Sequence, residues 1–357
     1  MKTQAAILES KDSPFKIEEV DLADPGMGEV RVRIEACGIC RSDLSALAGK
    51  EPIRFPAVLG HEGAGVVEAV GPGVRALKEG DKVILSWTPA CGACPPCKRG
   101  EVHLCRKLAM STGGKGALSR GGKGIDRFMA LGAFCRHVVV PESMAVAVKS
   151  DLSPVCACLI GCGVTTGFGA ATKTAALRWG ESAAVIGCGG VGLSAIQGAR
   201  VAGASRIFAI DPVEERRQAA LKVGATDALD PKGAAGKVMS STDGGVDVAI
   251  ECVGRPATML GAFNLIRPGG RAIVVGLPGF GEMLQIPAIL LLTGKTITGS
   301  IYGSANPAVD FQKIAALAAQ GRVDLNTLAG KVRPFAEINE GVAEMKEGKL
   351  TRVVLSF

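Results

Sequence analysis

The sequence predicts an α/β chain in two domains, with a doubly wound parallel sheet set into a barrel-like β domain to which the end of the chain returns. Three observations carry this. Roughly the first 150 residues read as short strands broken by Gly/Pro turns, an all-β pattern. After Gly163 apolar strands alternate with helical patterns, and after Ile301 that alternation weakens. A length of 357 residues suits two cores, and 47% hydrophobic content is enough to build them.

In the first domain, residues 30–37 alternate cleanly: Val30, Val32, Ile34 and Ala36 face one way, and Arg31, Arg33 and Glu35 the other. That period of two predicts a half-buried antiparallel strand. Strands follow at 63–67, 82–85 and 137–140, separated by turns such as Gly71-Pro72-Gly73 and closed by Pro141. Residues 111–124, rich in Gly, Lys and Ser, read as a long surface loop.

A cysteine cluster interrupts these strands: Cys91, Cys94, Cys97 and Cys105, spaced C-x2-C-x2-C-x7-C. Four thiolates this close can wrap one tetrahedral zinc and leave no position for substrate, so the expected site is structural. Gly92, Pro95 and Pro96 make tight turns rather than packed strands, which speaks against a set of core cysteines. An iron–sulfur cluster is the competing reading.

In the second domain, 183–186 is a short apolar strand followed at once by Gly187-Cys188-Gly189-Gly190-Val191-Gly192 and a helical pattern. G-x-G-x-x-G alone is weak, but after a strand, opening a helix, with Asp211 at the end of the next strand, it predicts a dinucleotide site. Gly187 permits the turn, Gly189 lets a pyrophosphate approach the backbone, and Gly192 lets the helix pack on the sheet. Asp211 would accept hydrogen bonds from the adenosine ribose and repel a 2′-phosphate, favouring NAD. Arg216 and Arg217 follow it and are expected on a solvated helix face, touching the adenosine. Further strands are expected at 206–210, 246–252 and 272–276.

Cys40-Arg41-Ser42-Asp43 offers a thiolate ligand, a phosphate-binding cation, a proton carrier and an orienting carboxylate. Alone it is an ordinary turn after a strand. With His61 and Cys162, also in glycine-rich turns, it supplies two thiolates and one imidazole, the ligand set of a catalytic zinc with an open fourth position. There are only three histidines, His61, His103 and His137, so proton-transfer roles are scarce.

Charged residues make up 21%, against widespread disorder. The net charge of +7 (41 basic, 34 acidic) comes from residues spread along the chain, without a nucleic-acid arm. No apolar run reaches the ~18–20 residues of a membrane span, and residues 1–8 lack the regions of a signal peptide. Twelve cysteines in such a chain point to metal sites and buried thiols. A cytoplasmic enzyme with no nucleic-acid or membrane partner is expected.

Taken in order, Gly60-His61-Glu62-Gly63, Thr88-Pro89-x-Cys91-Gly92, Gly161-Cys162-Gly163-x-x-Thr166-Gly167, Gly187-x-Gly189-Gly190-Val191-Gly192 and Gly348-Lys349-x-x-Arg352 resemble the zinc-dependent medium-chain alcohol dehydrogenases over nearly the whole chain. The resemblance implies a GroES-like β-barrel catalytic domain (1–163, with a zinc lobe at 88–107, and 301–357) split around a Rossmann domain (164–300). It implies two zinc ions per chain, NAD, and an alcohol or aldehyde substrate. Cys40, His61 and Cys162 would bind the catalytic zinc, Glu62 would sit behind it as a transient ligand, and Asp43 would support the His61 ring. Ser42 would carry the hydroxyl proton. Arg41 and Arg352 would grip the pyrophosphate, Thr166 and Val191 would press the nicotinamide into place, and Val275, Ser300 and Tyr302 would complete the cofactor site.

The sequence departs from the family at Ser45, where many members place the histidine that ends a proton relay. By the same resemblance Trp87, Leu277 and Ile301 line the substrate pocket, and their bulk implies aryl, allylic or medium-chain alcohols over ethanol. Residues 91–105 look especially like the mycothiol-linked formaldehyde dehydrogenases, which makes a thiol adduct the runner-up. Ala109 stands where the glutathione-linked kind carries an arginine, while Lys115, Arg120, Lys123 and Arg127 could meet an acidic thiol cofactor. A zinc-free quinone reductase or a non-catalytic relative would lack the ligands present here. The length between Cys105 and Phe134 resembles dimeric members, with 297–302 as a dimer edge strand.

Overall fold

The computed structural model describes residues 1–110, 112–279, 281–348, 350 and 352–357. The chain divides into two compact units, Met1–Cys162 with Asn306–Gly321 and Ala329–Phe357, and Gly163–Ala305 with Arg322–Leu328. The expected return segment 301–357 is therefore interrupted, since Arg322–Leu328 belongs to the second unit. There the Gln197 side chain donates to the Asp324 carbonyl and accepts the Asp324 N–H.

The first unit holds two mainly antiparallel sheets. One runs Lys123–Gly124, Leu118–Arg120, Lys16–Leu22, Lys2–Leu8, Ala57–Val58, Asp126–Arg127. The other runs Ala145–Ala147, Lys82–Leu85, Glu62–Val70, Glu29–Ile39, Val353–Ser356, Lys331–Pro334, with His137–Pro141 also paired to Glu29–Ile39. Glu29–Ile39 is the hub. Val30, Val32, Ile34 and Ala36 are buried as the alternation predicts. Beyond Ala36 the strand is buried on both faces through Ile39, and this end delivers the chain to Cys40.

The loop expected at 111–124 is more ordered than its composition suggests. Ser111 lies outside the described residues. Leu118–Arg120 and Lys123–Gly124 form a hairpin that extends the first sheet from Lys16–Leu22. Besides buried Leu118 and Ile125, Asp126 anchors the chain here. Its Oδ1 accepts the N–H and hydroxyl of Thr112, both at 2.7 Å, and its Oδ2 accepts the Arg54 N–H at 2.9 Å.

The second unit is a six-stranded parallel sheet in the order Asp227–Leu229, Arg206–Ile210, Ser182–Ile186, Val246–Glu251, Ile266–Val274, Thr296–Gly299. Chain order reverses between Ser182–Ile186 and Val246–Glu251, the switch point at which doubly wound sheets bind ligands. Phe208, Phe263, Val238 and Ile266 fill its core. One expectation needs amendment: Pro154–Thr174 is a continuous helical run of 21 residues, long and apolar enough to cross a membrane. Of its most apolar stretch 72% is buried, the property of a core helix. Proline at its start, capped by Ser153, fixes where it begins.

Candidate active site

The site in the first unit is built on the capping of a short helix. Cys40 precedes the helix Arg41–Leu47 in extended conformation, and the Asp43 carboxylate reaches back to accept the Cys40 N–H at 2.8 Å. The same carboxylate accepts the Gly60 N–H at 3.0 Å and lies 3.1 Å from His61 Nδ1. Asp43 is 2% exposed and so fixes both the loop that carries His61 and the tautomer of its ring. With Nδ1–H donated to Asp43, Nε2 is left as the acceptor, and it has no hydrogen-bond partner among the described residues. Phe128 holds the ring edge-on, centroids 5.6 Å apart.

Cys40, His61, Glu62 and Cys162 are all buried, with donor atoms within 4.8 Å of one another. Cys162 comes from a single π-helical turn, Ile160–Val164, of the buried helix. The site thus draws on three segments far apart in sequence. Two thiols, an imidazole nitrogen without a partner and a nearby carboxylate fit a zinc ion. Hydrogen bonding from Cys162 holds the Cys40 thiol well below its usual range against the effect of burial, with Arg352 and His61 adding to it. Burial pushes the Glu62 carboxyl up to about 8, opposed by Arg352.

Arg352, expected on the pyrophosphate, has its guanidinium turned inward: Nη1 lies 3.3 Å from Glu62 Oε1 and donates to the Ile39 carbonyl at 3.3 Å. Lys349, expected in the same motif, lies outside the described residues. Arg41 is exposed at the first turn of its helix. Ser42 Oγ lies 4.0 Å from Cys40 Sγ. Ser45 is half-buried, and Trp87 is 7% exposed.

Cys91, Cys94, Cys97 and Cys105 also lie with their sulfurs within 4.8 Å of one another. Gly92 and Gly100 take positive φ, +69° and +82°, so the chain can fold back on itself at these points. None of the twelve cysteines forms a disulfide.

In the second unit the glycine turn follows Ser182–Ile186 and opens the helix Gly190–Val201. Gly187 adopts φ +90°, and a Cβ on Gly192 would run into the Gly187 carbonyl oxygen. A Cβ on Gly189 would meet no protein atom within 4 Å, so the space before that residue is open. Asp211 is 2% exposed and its carboxylate accepts the N–H groups of Cys188, at 2.8 Å, and Val213, at 2.9 Å. Arg216 stands 3.8 Å from it. Arg217 is not on a solvated face as expected: it donates to the Asp211 carbonyl and pairs with Asp230 and Glu214. Thr166 and Val191 are half-buried where Gly167 crosses the Val191 carbonyl too closely for any side chain. Val275 is half-buried and its N–H donates to the Glu251 carbonyl. Ser300 is hydrogen-bonded to Thr174 at 2.7 Å, and the Tyr302 side chain is buried, 1% exposed. Leu277 and Ile301 are exposed, 63% and 42%.

Two features escaped the sequence reading. Glu251, fully buried, accepts the N–H groups of Val253 and Gly254 and the Thr258 hydroxyl, shaping the loop beside Gly187. Its position at the end of a strand, like that of Asp211, was the available signal. Tyr302, Gly303 and Ser304 all take positive φ, which no residue type there announces except the glycine.

Residues 26–150 match the family model of the alcohol dehydrogenase GroES-like domain, and residues 190–320 that of the zinc-binding dehydrogenases. Among solved structures, the chain is similar to an alcohol dehydrogenase zinc-binding domain protein from Burkholderia ambifaria, at 35% identity over 100% of this chain and 99% of that one, TM-score 0.96. It is similar to the benzyl alcohol dehydrogenase of Acinetobacter calcoaceticus at 32% identity, with the same coverage and TM-score 0.95. An alcohol dehydrogenase from Thermus sp. ATN1 matches at 31% identity over 99% of both chains, TM-score 0.86. The chain belongs to the zinc-dependent medium-chain alcohol dehydrogenase family, an oxidoreductase with a GroES-like and a Rossmann domain.

Proposed function

We propose that the protein oxidises primary aryl, allylic or medium-chain alcohols to aldehydes with NAD, and runs the reverse reaction, using one catalytic and one structural zinc per chain. The observation that carries this reading is the convergence of buried Cys40, His61 and Cys162, with His61 Nε2 left unpartnered. Zinc held there would supply a Lewis acid for the alcohol oxygen, and bound NAD would supply the hydride acceptor.

The remaining work falls to the chain. Asp43 orients His61 and secures the loop behind it. Ser42 takes the hydroxyl proton, and with Ser45 in place of a histidine that proton leaves through water. Asp211 selects NAD by presenting a negative charge where NADP carries a phosphate. Arg41, exposed, is the better phosphate ligand, because Arg352 is already engaged with Glu62.

The aryl preference rests on the similarity to a benzyl alcohol dehydrogenase and on the bulk of Trp87, Leu277 and Ile301. Against a thiol-adduct formaldehyde dehydrogenase stand two of the four expected cations: Arg120 is paired to Glu9 and Glu18, and Arg127 is buried and donates to the Val139 carbonyl. The test is NADH formation from benzyl and medium-chain alcohols, compared with formaldehyde plus glutathione or mycothiol. Turnover of the free alcohols, unaffected by thiol, is expected. Activity only with formaldehyde and a thiol would replace this substrate with the adduct.

A second copy of the chain is the partner we infer. Thr296–Gly299 is an edge strand, paired only to Ile266–Val274 among the described residues. Close to it in sequence Met283, Ile289 and Leu292 are 80%, 68% and 82% exposed, an apolar group that an isolated chain would leave in water.

A further inference from the structure

Cys40, His61 and Cys162 leave one position of a tetrahedral ion open, and substrate needs it. Glu62 follows His61, and its carboxylate belongs to the same group of donors within 4.8 Å. A carboxyl oxygen so near could complete the shell and shut substrate out, unless something holds it aside.

The neighbouring strand provides the room. Gly38 is the direct partner of Glu62 across the antiparallel pair Glu29–Ile39 and Glu62–Val70. A Cβ on Gly38 would overlap Glu62 Oε2 and stand 3.3 Å from Glu62 Cβ and Cδ. The other carboxylate oxygen lies 3.3 Å from Arg352 Nη1, and Arg352 is itself tied to the Ile39 carbonyl. The carboxylate therefore occupies the space that a side chain at residue 38 would fill, with Arg352 beside it. The backbone conformation does not require glycine at this point. Gly38 is not among the residues with positive φ, and the atom an added methyl meets first is the far end of a flexible side chain.

We propose that Gly38 is a positioning residue: its missing side chain seats the Glu62 carboxylate away from the metal position and keeps the fourth coordination position available. This deepens the reading of the Cys40–His61–Cys162 centre given above and rests on it.

Gly38→Ala tests it. The backbone tolerates alanine, so the substitution should displace the carboxylate and leave the strand in place. Imidazole, a neutral ligand for an open metal position, is titrated against the cobalt(II)-loaded proteins and followed by visible absorption. The cysteine cluster contributes equally to wild type and variant. Gly38→Ala should bind imidazole ~10–100-fold more weakly, the range found when a group supporting a metal site is altered, and turnover should fall alongside. Gly38→Ala combined with Glu62→Asp, whose shorter side chain clears the new methyl, should match Glu62→Asp alone.

A folded Gly38→Ala protein that binds imidazole as wild type does would overturn the proposal. So would a double variant no better than Gly38→Ala. If Gly38→Ala does not fold, the two Glu62→Asp proteins are compared instead; a double variant that also fails to fold overturns the proposal, because the conflict is then not with Glu62. Metal analysis separates this failure from a deeper one: wild-type protein without metal at Cys40, His61 and Cys162 refutes the proposed function along with the inference.

Discussion

Asp43 serves three groups at once: the Cys40 N–H, the Gly60 N–H and His61 Nδ1. Replacing it by Asn keeps the shape but offers one acceptor oxygen in place of two, so the Cys40 N–H on Oδ2 and the Gly60 N–H and His61 ring on Oδ1 cannot all be held. Asp43→Asn is expected to lower activity and metal affinity ~10–100-fold with the fold intact, read by kcat and zinc retention against a chelator. Ser42→Ala removes the proposed proton carrier and should lower turnover by ~10²–10⁴. Unchanged turnover, with hydride transfer shown to be rate-limiting by a deuterated alcohol, would remove Ser42 from the mechanism. At this scale the chemistry-bearing types were legible, because thiols, imidazole and carboxylate in glycine-rich turns are few. The seat at Gly38 was not, since it depends on which residue of one strand faces Glu62 on the next. Nor was the inward turn of Arg352, which depends on a buried carboxylate finding a cation.

The glycine turn separates two kinds of requirement within one element. Gly192→Ala would drive a methyl into the Gly187 carbonyl, so the turn itself must break. Gly189→Ala meets nothing in the protein, only the space where a pyrophosphate would come. Gly189→Ala is therefore expected to cost about 1 kcal/mol of stability or less, the scale of an N-cap change, yet to weaken NADH binding strongly. Gly192→Ala should lose both. Thermal melts and NADH fluorescence titration check the pair; equal losses of stability would contradict this division. The strands after Gly163 were legible because parallel strands buried on both faces read as apolar runs. Leu118–Arg120 and Lys123–Gly124 were not, because they are three and two residues long and Leu118, paired to Leu22, is their one buried apolar residue. The left-handed turn at Tyr302–Ser304 had no signal beyond Gly303, and its Ser304 hydroxyl is bonded to Thr174, far away in sequence.

For the whole molecule, the change of rhythm near Gly163 falls where the two units divide, whereas the return of Arg322–Leu328 to the second unit was not legible, because it rests on contacts remote in sequence, Gln197 with Asp324 and Arg200 with the Arg322 carbonyl, and on the burial of Val323, Leu325 and Leu328. If the edge strand Thr296–Gly299 meets a second copy, Leu292→Glu should convert the dimer to monomer in sedimentation or light scattering, since a buried unpaired carboxylate would be needed to keep it. A variant that stays dimeric would place the interface elsewhere. The most direct test of the account is zinc content and NADH formation from benzyl alcohol, measured together in the wild-type and Cys162→Ala proteins. Two zinc ions per chain and NADH formation are expected in the wild type, and one zinc ion with no NADH in the variant. A Cys162→Ala protein that still forms NADH at the wild-type rate would contradict it.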